Sequence, residues 1–217
     1  MAEKFVSERN LKFLLHEVFD VGSLAKQPYY EEHSVDLFDM VLETALKVAK
    51  KLFKPVFSEM DKNPPEFADG EVRVHPSVRT IMKECGEGGW IAARFPMESG
   101  GQQLPYMIAM TCRFIFSAAN YSASVYPALT EGAAHLIHSF GTEEIKQAYL
   151  PKMIAGDWQG TMALTEPQAG SSLADLNTLA EPTDAGYYIM RGQKIFISVG
   201  DHNGADNVVH LMLAKIK

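Results

Sequence analysis

Small residues, hydroxyls and a proline are concentrated in the run Gly160-Thr-Met-Ala-Leu-Thr-Glu-Pro-Gln-Ala-Gly-Ser-Ser172. Its last four residues offer free backbone N–H groups and two hydroxyls with little side-chain bulk. That composition lets a bulky anionic ligand come close to the main chain. Upstream, Trp158, Gly160, Met162 and Leu164 alternate with Gln159, Thr161, Ala163 and Thr165, a period of two that predicts a strand with one buried face. Pro167 ends the ladder because it has no N–H to donate. The same pattern also fits an ordinary strand and turn, so the run is only a candidate site. His135 and His138 lie one helical turn apart, a spacing that would let two imidazoles share a metal, but no third ligand stands near and both fit a packed or solvated helix. Ser122, Ser124 and Ser139 lack the Gly-x-Ser-x-Gly context of a serine nucleophile. Gly86-Glu-Gly-Gly89 has part of a phosphate loop's composition but reads as a helix C-cap.

The elements that must position the run are mostly helical. Leu11, Leu14, Leu15, Val18 and Phe19 predict a short amphipathic helix with Gly22 as its stop, and residues 27–30 read as an extended linker. Ser34 is a helix N-cap for a long core helix over residues 34–60, bent or interrupted at Pro55. Residues 61–70 read as a loop. His75-Pro76 opens the next helix, closed by the glycines after Glu87, and residues 90–96 form a short extended piece. The nearly all-apolar residues 105–121 make a buried helix, and residues 122–140 continue it with a break near Pro127. Thr142 caps a helix running to Tyr149. At Trp158 the period changes to two: residues 187–190 and 194–198 read as a hairpin turning at Arg191-Gly192, and residues 208–215 as another strand. Helices followed by strands predict an α+β chain. The predicted division is an N-terminal extension over residues 1–33, a helical domain over 34–156 and a partial, truncated antiparallel β domain over 157–217. So few strands ending at Lys217 would leave a sheet edge open, so the chain is expected to be a fragment or to be completed by strands from elsewhere.

Composition excludes several classes. A formal charge of −7, with no dense Lys/Arg run, argues against a nucleic-acid footprint. No run approaches the ~20 apolar residues of a membrane span. Residues 2–5 start no cationic leader, and cytoplasm is the default location. Cys85 and Cys112 sit in apolar, helix-like surroundings and read as buried free thiols.

Met162-Ala-Leu-Thr-Glu-Pro-Gln-Ala-Gly-Ser-Ser172 followed by Tyr187-Tyr-Ile-Met-Arg-Gly-Gln-Lys-Ile-Phe-Ile-Ser198 resembles the acyl-CoA dehydrogenase family, and the order of parts agrees over nearly the whole chain. Gly88-Gly-Trp90 with Ser99-Gly-Gly101 resembles the subgroup that includes 3-methylthiopropanoyl-CoA dehydrogenases. The resemblance implies an FAD-dependent oxidoreductase of fatty acid metabolism that converts an acyl-CoA to a 2-enoyl-CoA, passes electrons to an electron-transfer flavoprotein and forms homo-oligomers. It implies FAD contacts from Met162, Leu164, Thr165, Gly170, Ser171, Phe196, Ile197 and Ser198, with Ser171 also available to the substrate. Thr165 would stand at the flavin ring edge, Phe196 against the ring as its wall, and Ser198 near flavin N5. A shared strand would put Phe196 and Ser198 on one face. Two substitutions depart from the pattern: Ser172 where many members have aspartate, and Phe196 where tryptophan is frequent. The family's catalytic glutamate lies in a C-terminal helical domain that this chain is expected to lack, so no base is assigned; Glu166 reads instead as a residue that holds its turn by hydrogen bonds. The chain alone is expected to retain FAD weakly or not at all. Alternatives are an acyl-CoA oxidase or flavin monooxygenase of the same fold, and a non-catalytic binding module.

Overall fold

A computed structural model of the protein describes residues 5–217; the reading of residues 2–4 as free of a leader lies outside them. Ser7 caps α1 (Glu8–Lys12), which continues as a π-helix through Phe13–Val18. This segment ends at Asp20, in the left-handed region with φ 45°, and not at the expected Gly22. Of its apolar stripe only Leu15 is buried. Pro28–Tyr30 is a 3-10 turn where an extended linker was expected.

Ser34 accepts a hydrogen bond from Leu37 N at 3.1 Å and starts α2 (Val35–Val48). The helix runs on through a π turn, Ala49–Phe53, and a 3-10 turn, Lys54–Val56, into α3 (Phe57–Lys62). Pro55 removes one donor and crowds the preceding turn, so the winding changes there and the helix carries on. Residues expected as a plain loop include a hairpin, β1 (Glu66–Ala68) with β2 (Glu71–Arg73). Asp69 and Gly70 at its tip both have positive φ, as a two-residue hairpin turn with matching twist requires.

Then come α4 (Ser77–Glu87), α5 (Tyr106–Ala119), α6 (Tyr121–Phe140) and α7 (Glu143–Ile154). Residues 90–96 are turns, not an extended piece. The break between α5 and α6 lies at Asn120, and α6 runs past Pro127, where the break was expected. Asn120 decides the boundary because its side chain accepts from Ala123 N at 3.1 Å and donates to Phe53 O at 3.2 Å, holding the corner from both sides. Likewise α7 carries Pro151 and extends to Ile154, beyond the expected end at Tyr149. Thr142 caps it as expected.

Phe38, Phe53, Ile81, Met82, Ile108 and Ile115 are fully buried in the helical core, where Phe53 stacks on Phe116 at 4.9 Å. A second apolar cluster joins α6 and α7 to the strands through Ala133, Ile137, Leu150 and Met153, with Val209 and Leu211 against them.

The α+β class is as expected: apart from the β1–β2 hairpin, the strands follow the helices. Their pairing is mixed, not antiparallel throughout. β3 (Trp158–Ala163) runs parallel to β6 (Asn207–Met212). β4 (Leu179–Pro182) lies between β5 (Tyr188–Arg191), antiparallel, and β7 (Lys215–Ile216), parallel. The long excursion between β3 and β6 leaves room for the crossover that parallel pairing needs. Residues 194–198 form no strand, and the partner of β5 is β4. That short strand ends in Pro182 and gives little periodic signal.

Candidate functional site

β3 delivers the candidate run to the edge of the helical core. Its buried face is Gln159, Thr161 and Ala163, while Trp158, Met162 and Leu164 are half-buried. Polar residues can take the inward face because each finds a partner there: Thr161 Oγ1 bonds His210 Nδ1 of β6 at 2.7 Å, and α6 serves Gln159. Gln159 Nε2 donates to Tyr126 O at 3.0 Å and to Thr130 Oγ1 at 2.8 Å, and Gly160 N donates to the same hydroxyl at 3.0 Å. A Cβ on Gly160 would lie 2.6 Å from Ala133 Cβ, so this close seating needs glycine.

Beyond β3 the chain turns on Glu166. Its backbone pairs with Ala169 through Glu166 N to Ala169 O at 2.9 Å and Ala169 N to Glu166 O at 3.1 Å. Its carboxylate, 2% exposed, is surrounded by donors. Asn177 N donates to Oε2 at 2.6 Å and Gln168 Nε2 to the same oxygen at 2.7 Å. Thr178 N at 3.0 Å, the Thr178 hydroxyl and Lys194 Nζ at 2.8 Å all donate to Oε1. Burial alone would raise this carboxyl's pKa. The bonds from Lys194, from the Thr178 hydroxyl and from the Asn177 and Thr178 amides outweigh it and hold the group well below the usual carboxylate range. A carboxylate so held keeps its charge and has no free lone pair facing a substrate, so Glu166 is a structural hub.

The hub brings both arms of the candidate site together. Lys194, 6% exposed, also donates from Nζ to Leu164 O at 3.0 Å, and Ile195 N donates to Thr165 O at 3.0 Å. Leu164 and Thr165 on one arm therefore lie beside the segment that carries Phe196, Ile197 and Ser198. The strand expected for that segment is absent. Phe196 has φ 57° and Val199 φ 46°, both in the left-handed region, and the Phe196 ring is 89% exposed. Phe196 and Ser198 thus project from an irregular segment, and no strand alternation aligns them. Met162 stays on β3, opposite Leu211 of β6. No role is assigned to Lys194, Thr178, Asn177 or Gln168 from the sequence, and no local pattern marks them out.

Gly170 and Ser171 are exposed on the turn, and a Cβ on Gly170 would meet nothing within 4 Å. Ser172, in the place where aspartate is frequent, donates to Asp175 Oδ2 at 2.6 Å, and Asp175 N returns to Ser172 O at 3.0 Å. Asp175 thus closes the loop that Ser172 leaves without a carboxylate. The arrangement presents an exposed flat ring, a half-buried threonine edge and an uncrowded turn carrying hydroxyls. His135 and His138 lie elsewhere: both pack on Phe95, and His138 bonds the Ser99 hydroxyl at 2.9 Å.

Comparison with known proteins bears on this arrangement. Residues 37–157 match the family model described as acyl-CoA dehydrogenase, N-terminal domain. A 3-methylmercaptopropionyl-CoA dehydrogenase of Ruegeria pomeroyi is 32% identical over 207 residues, which is 95% of this chain and 35% of that protein. A butyryl-CoA dehydrogenase of Syntrophomonas wolfei is 34% identical over 212 residues, again 95% of this chain and 35% of that protein. An acyl-CoA dehydrogenase of Bacillus anthracis solved in complex with FAD superposes with a TM-score of 0.69 at 26% identity, covering 86% of this chain and 30% of that one. The chain therefore spans about a third of the length of these curated relatives.

Proposed function

The chain belongs to the acyl-CoA dehydrogenase family, whose cofactor is FAD, and from that premise we propose that the intact protein catalyses α,β-dehydrogenation of an acyl-CoA thioester. The observation that carries the reading is the juxtaposition of the Leu164–Thr165 arm with the Phe196–Ser198 arm, joined through Ile195 N and Lys194. A flavin site needs one flat apolar wall, donors along a polar edge and small residues where the diphosphate comes close. The exposed Phe196 ring, Thr165, and the open Gly170–Ser171 turn fit those needs, with Met162, Leu164, Ile197 and Ser198 beside them.

When bound, the flavin supplies a hydride acceptor for the β-hydrogen of the thioester. The residues of this chain orient and shield it: Phe196 as wall, Thr165 and Ser198 as polar edge groups, and Gly170 and Ser171 toward the anionic diphosphate or the acyl-CoA. Glu166 is not the general base, because both its oxygens are taken and its proton affinity is low. We place the base outside these residues. The same reading divides the chain into an extension over residues 1–33, a helical domain over 34–156 and part of a β domain over 157–217. It also includes an electron-transfer flavoprotein as electron acceptor, a homo-oligomer, a place in fatty acid metabolism and a cytoplasmic location. Among the described residues no helix is long and apolar enough to cross a membrane.

The test uses the purified full-length protein. It should carry a flavin absorbance that bleaches anaerobically when butyryl-CoA or 3-methylmercaptopropionyl-CoA is added. A flavin that no acyl-CoA bleaches would overturn the dehydrogenase reading, and rapid reoxidation by oxygen would turn it into that of an oxidase.

A further inference from the structure

Lys194 and Glu166 form a buried ion pair that points away from solvent, and their bonds reach both arms of the site. Such a pair is a poor source of net stability, because desolvating two charges offsets most of their attraction. Its geometry shows what it does accomplish. Lys194 Nζ spans from the Glu166 carboxylate at 2.8 Å to Leu164 O at 3.0 Å, one residue before Thr165. The next residue, Ile195, donates its N–H to Thr165 O at 3.0 Å. Immediately after that anchor comes Phe196, held at φ 57° with its ring in solvent. An aromatic residue in the left-handed region is strained, and such a conformation persists only where the surroundings over-determine it. No strand ladder holds residues 194–198, so the Lys194 and Ile195 bonds are the restraint closest to Phe196.

We propose that the Glu166–Lys194 pair is a positioning clamp that fixes the Phe196 wall in register with the Thr165 edge before any flavin binds. This rests on the flavin reading above. Lys194 and Glu166 are positioning residues: they act through Phe196 and Thr165 and do not touch the reacting atoms. Preorganising both arms spares the ordering that binding would otherwise have to impose on them.

The experiment is Lys194→Met in the full-length protein, read by amide hydrogen exchange without added FAD and by FAD titration. The Ile195 amide should exchange about ten-fold faster while amides within α6 stay at wild-type rates. The FAD dissociation constant should rise about ten-fold. Lys194→Arg, which keeps a cation able to reach both oxygens, should return both readings most of the way to wild type. Should Lys194→Met fail to fold, Glu166→Gln/Lys194→Met removes both charges and should loosen Ile195 likewise, since the bond to Leu164 O is gone. Unchanged exchange at Ile195, or unchanged FAD affinity in a wild-type background that binds FAD, would overturn the clamp. Equal loss in Lys194→Arg and Lys194→Met would also overturn it, assigning the effect to packing of the stem. A wild-type protein that takes up no FAD would instead overturn the flavin reading beneath it, while the exchange measurement would still decide whether Lys194 holds the two arms together.

Discussion

Gln159 and Glu166 lie on one strand and its following turn, both buried, and they solve opposite problems. Gln159 is neutral. It ties β3 to α6 through Tyr126 O and Thr130, and its own Oε1 has no partner among the described residues. Glu166 is ionised and every lone-pair direction that matters is filled, by five donors from four residues. The contrast follows from desolvation. An amide oxygen without a partner costs on the order of 1–3 kcal/mol, which a well-packed seam can absorb, whereas an unpaired buried carboxylate costs far more. The seam between helices and strands is therefore built from shape and neutral bonds, and the candidate site from charge.

The largest effects are expected at the seam between β3 and α6. Gly160→Ala places a methyl 2.6 Å from Ala133 Cβ and should destabilise the protein by about 3 kcal/mol. A urea midpoint unchanged from wild type would show that β3 is not tightly seated against α6. Thr130→Val keeps the shape and removes the hydroxyl that accepts from both Gly160 N and Gln159 Nε2. Its expected cost is about 2 kcal/mol, independent of pH, measured as a midpoint shift at constant m-value.

The charged Glu166 centre shows itself in acid. Because bonding holds the folded-state pKa of Glu166 below its ordinary value of 4.5, its stabilisation is fully present above that value and is lost as pH falls through the folded-state one. Urea midpoints measured downward from neutral pH should fall below about pH 4.5 in the wild type and fall less steeply in Glu166→Gln. Parallel acid limbs would remove the distinction between the two regions. A smaller effect comes from His202, whose Nδ1 accepts from Gly204 N at 3.0 Å and whose ring meets Tyr126 edge-on. Burial lowers its pKa, Asp201 opposes this and Arg79 adds to it. The neutral ring is thus preferred in the folded state, and stability should begin to decline as pH drops below the ordinary value of 6.5, a limb that His202→Gln should remove. The smallest expected signal is chemical. Burial pushes the Cys85 and Cys112 thiols up to about 12, so neither should react with a thiol reagent until the protein unfolds.

Much of this architecture was legible in the sequence, and the illegible parts share a cause. The caps at Ser34 and Thr142, the apolar helix before Asn120 and the period of β3 all follow from residues within a turn or two of one another. Asp69-Gly70, with positive φ at both positions, is itself a local hairpin signal within the segment expected as loop. A break expected at Pro127 does not occur because Tyr126 and Pro127 are buried within α6, and α7 runs past its expected end at Tyr149 with Pro151 inside it. In the site, the two arms and the structural role of Glu166 were readable. The strand expected through Phe196 is absent, because residues 194–198 meet no partner strand and β5 pairs with β4 instead.

Local sequence was enough to place most of the helices, the caps at Ser34 and Thr142, the period of β3 and the two segments that form the arms. These depend on neighbours along the chain, whose contacts cost little loop entropy and leave a periodic trace. Packing in three dimensions set which face of β3 is buried, the parallel pairing of β3 with β6, and the link from Glu166 through Lys194 to Leu164. Gln159 finds Thr130 across 29 positions and Lys194 finds Glu166 across 28. A buried polar group takes whichever complementary partner the packed core brings within reach, and no local pattern names that partner in advance.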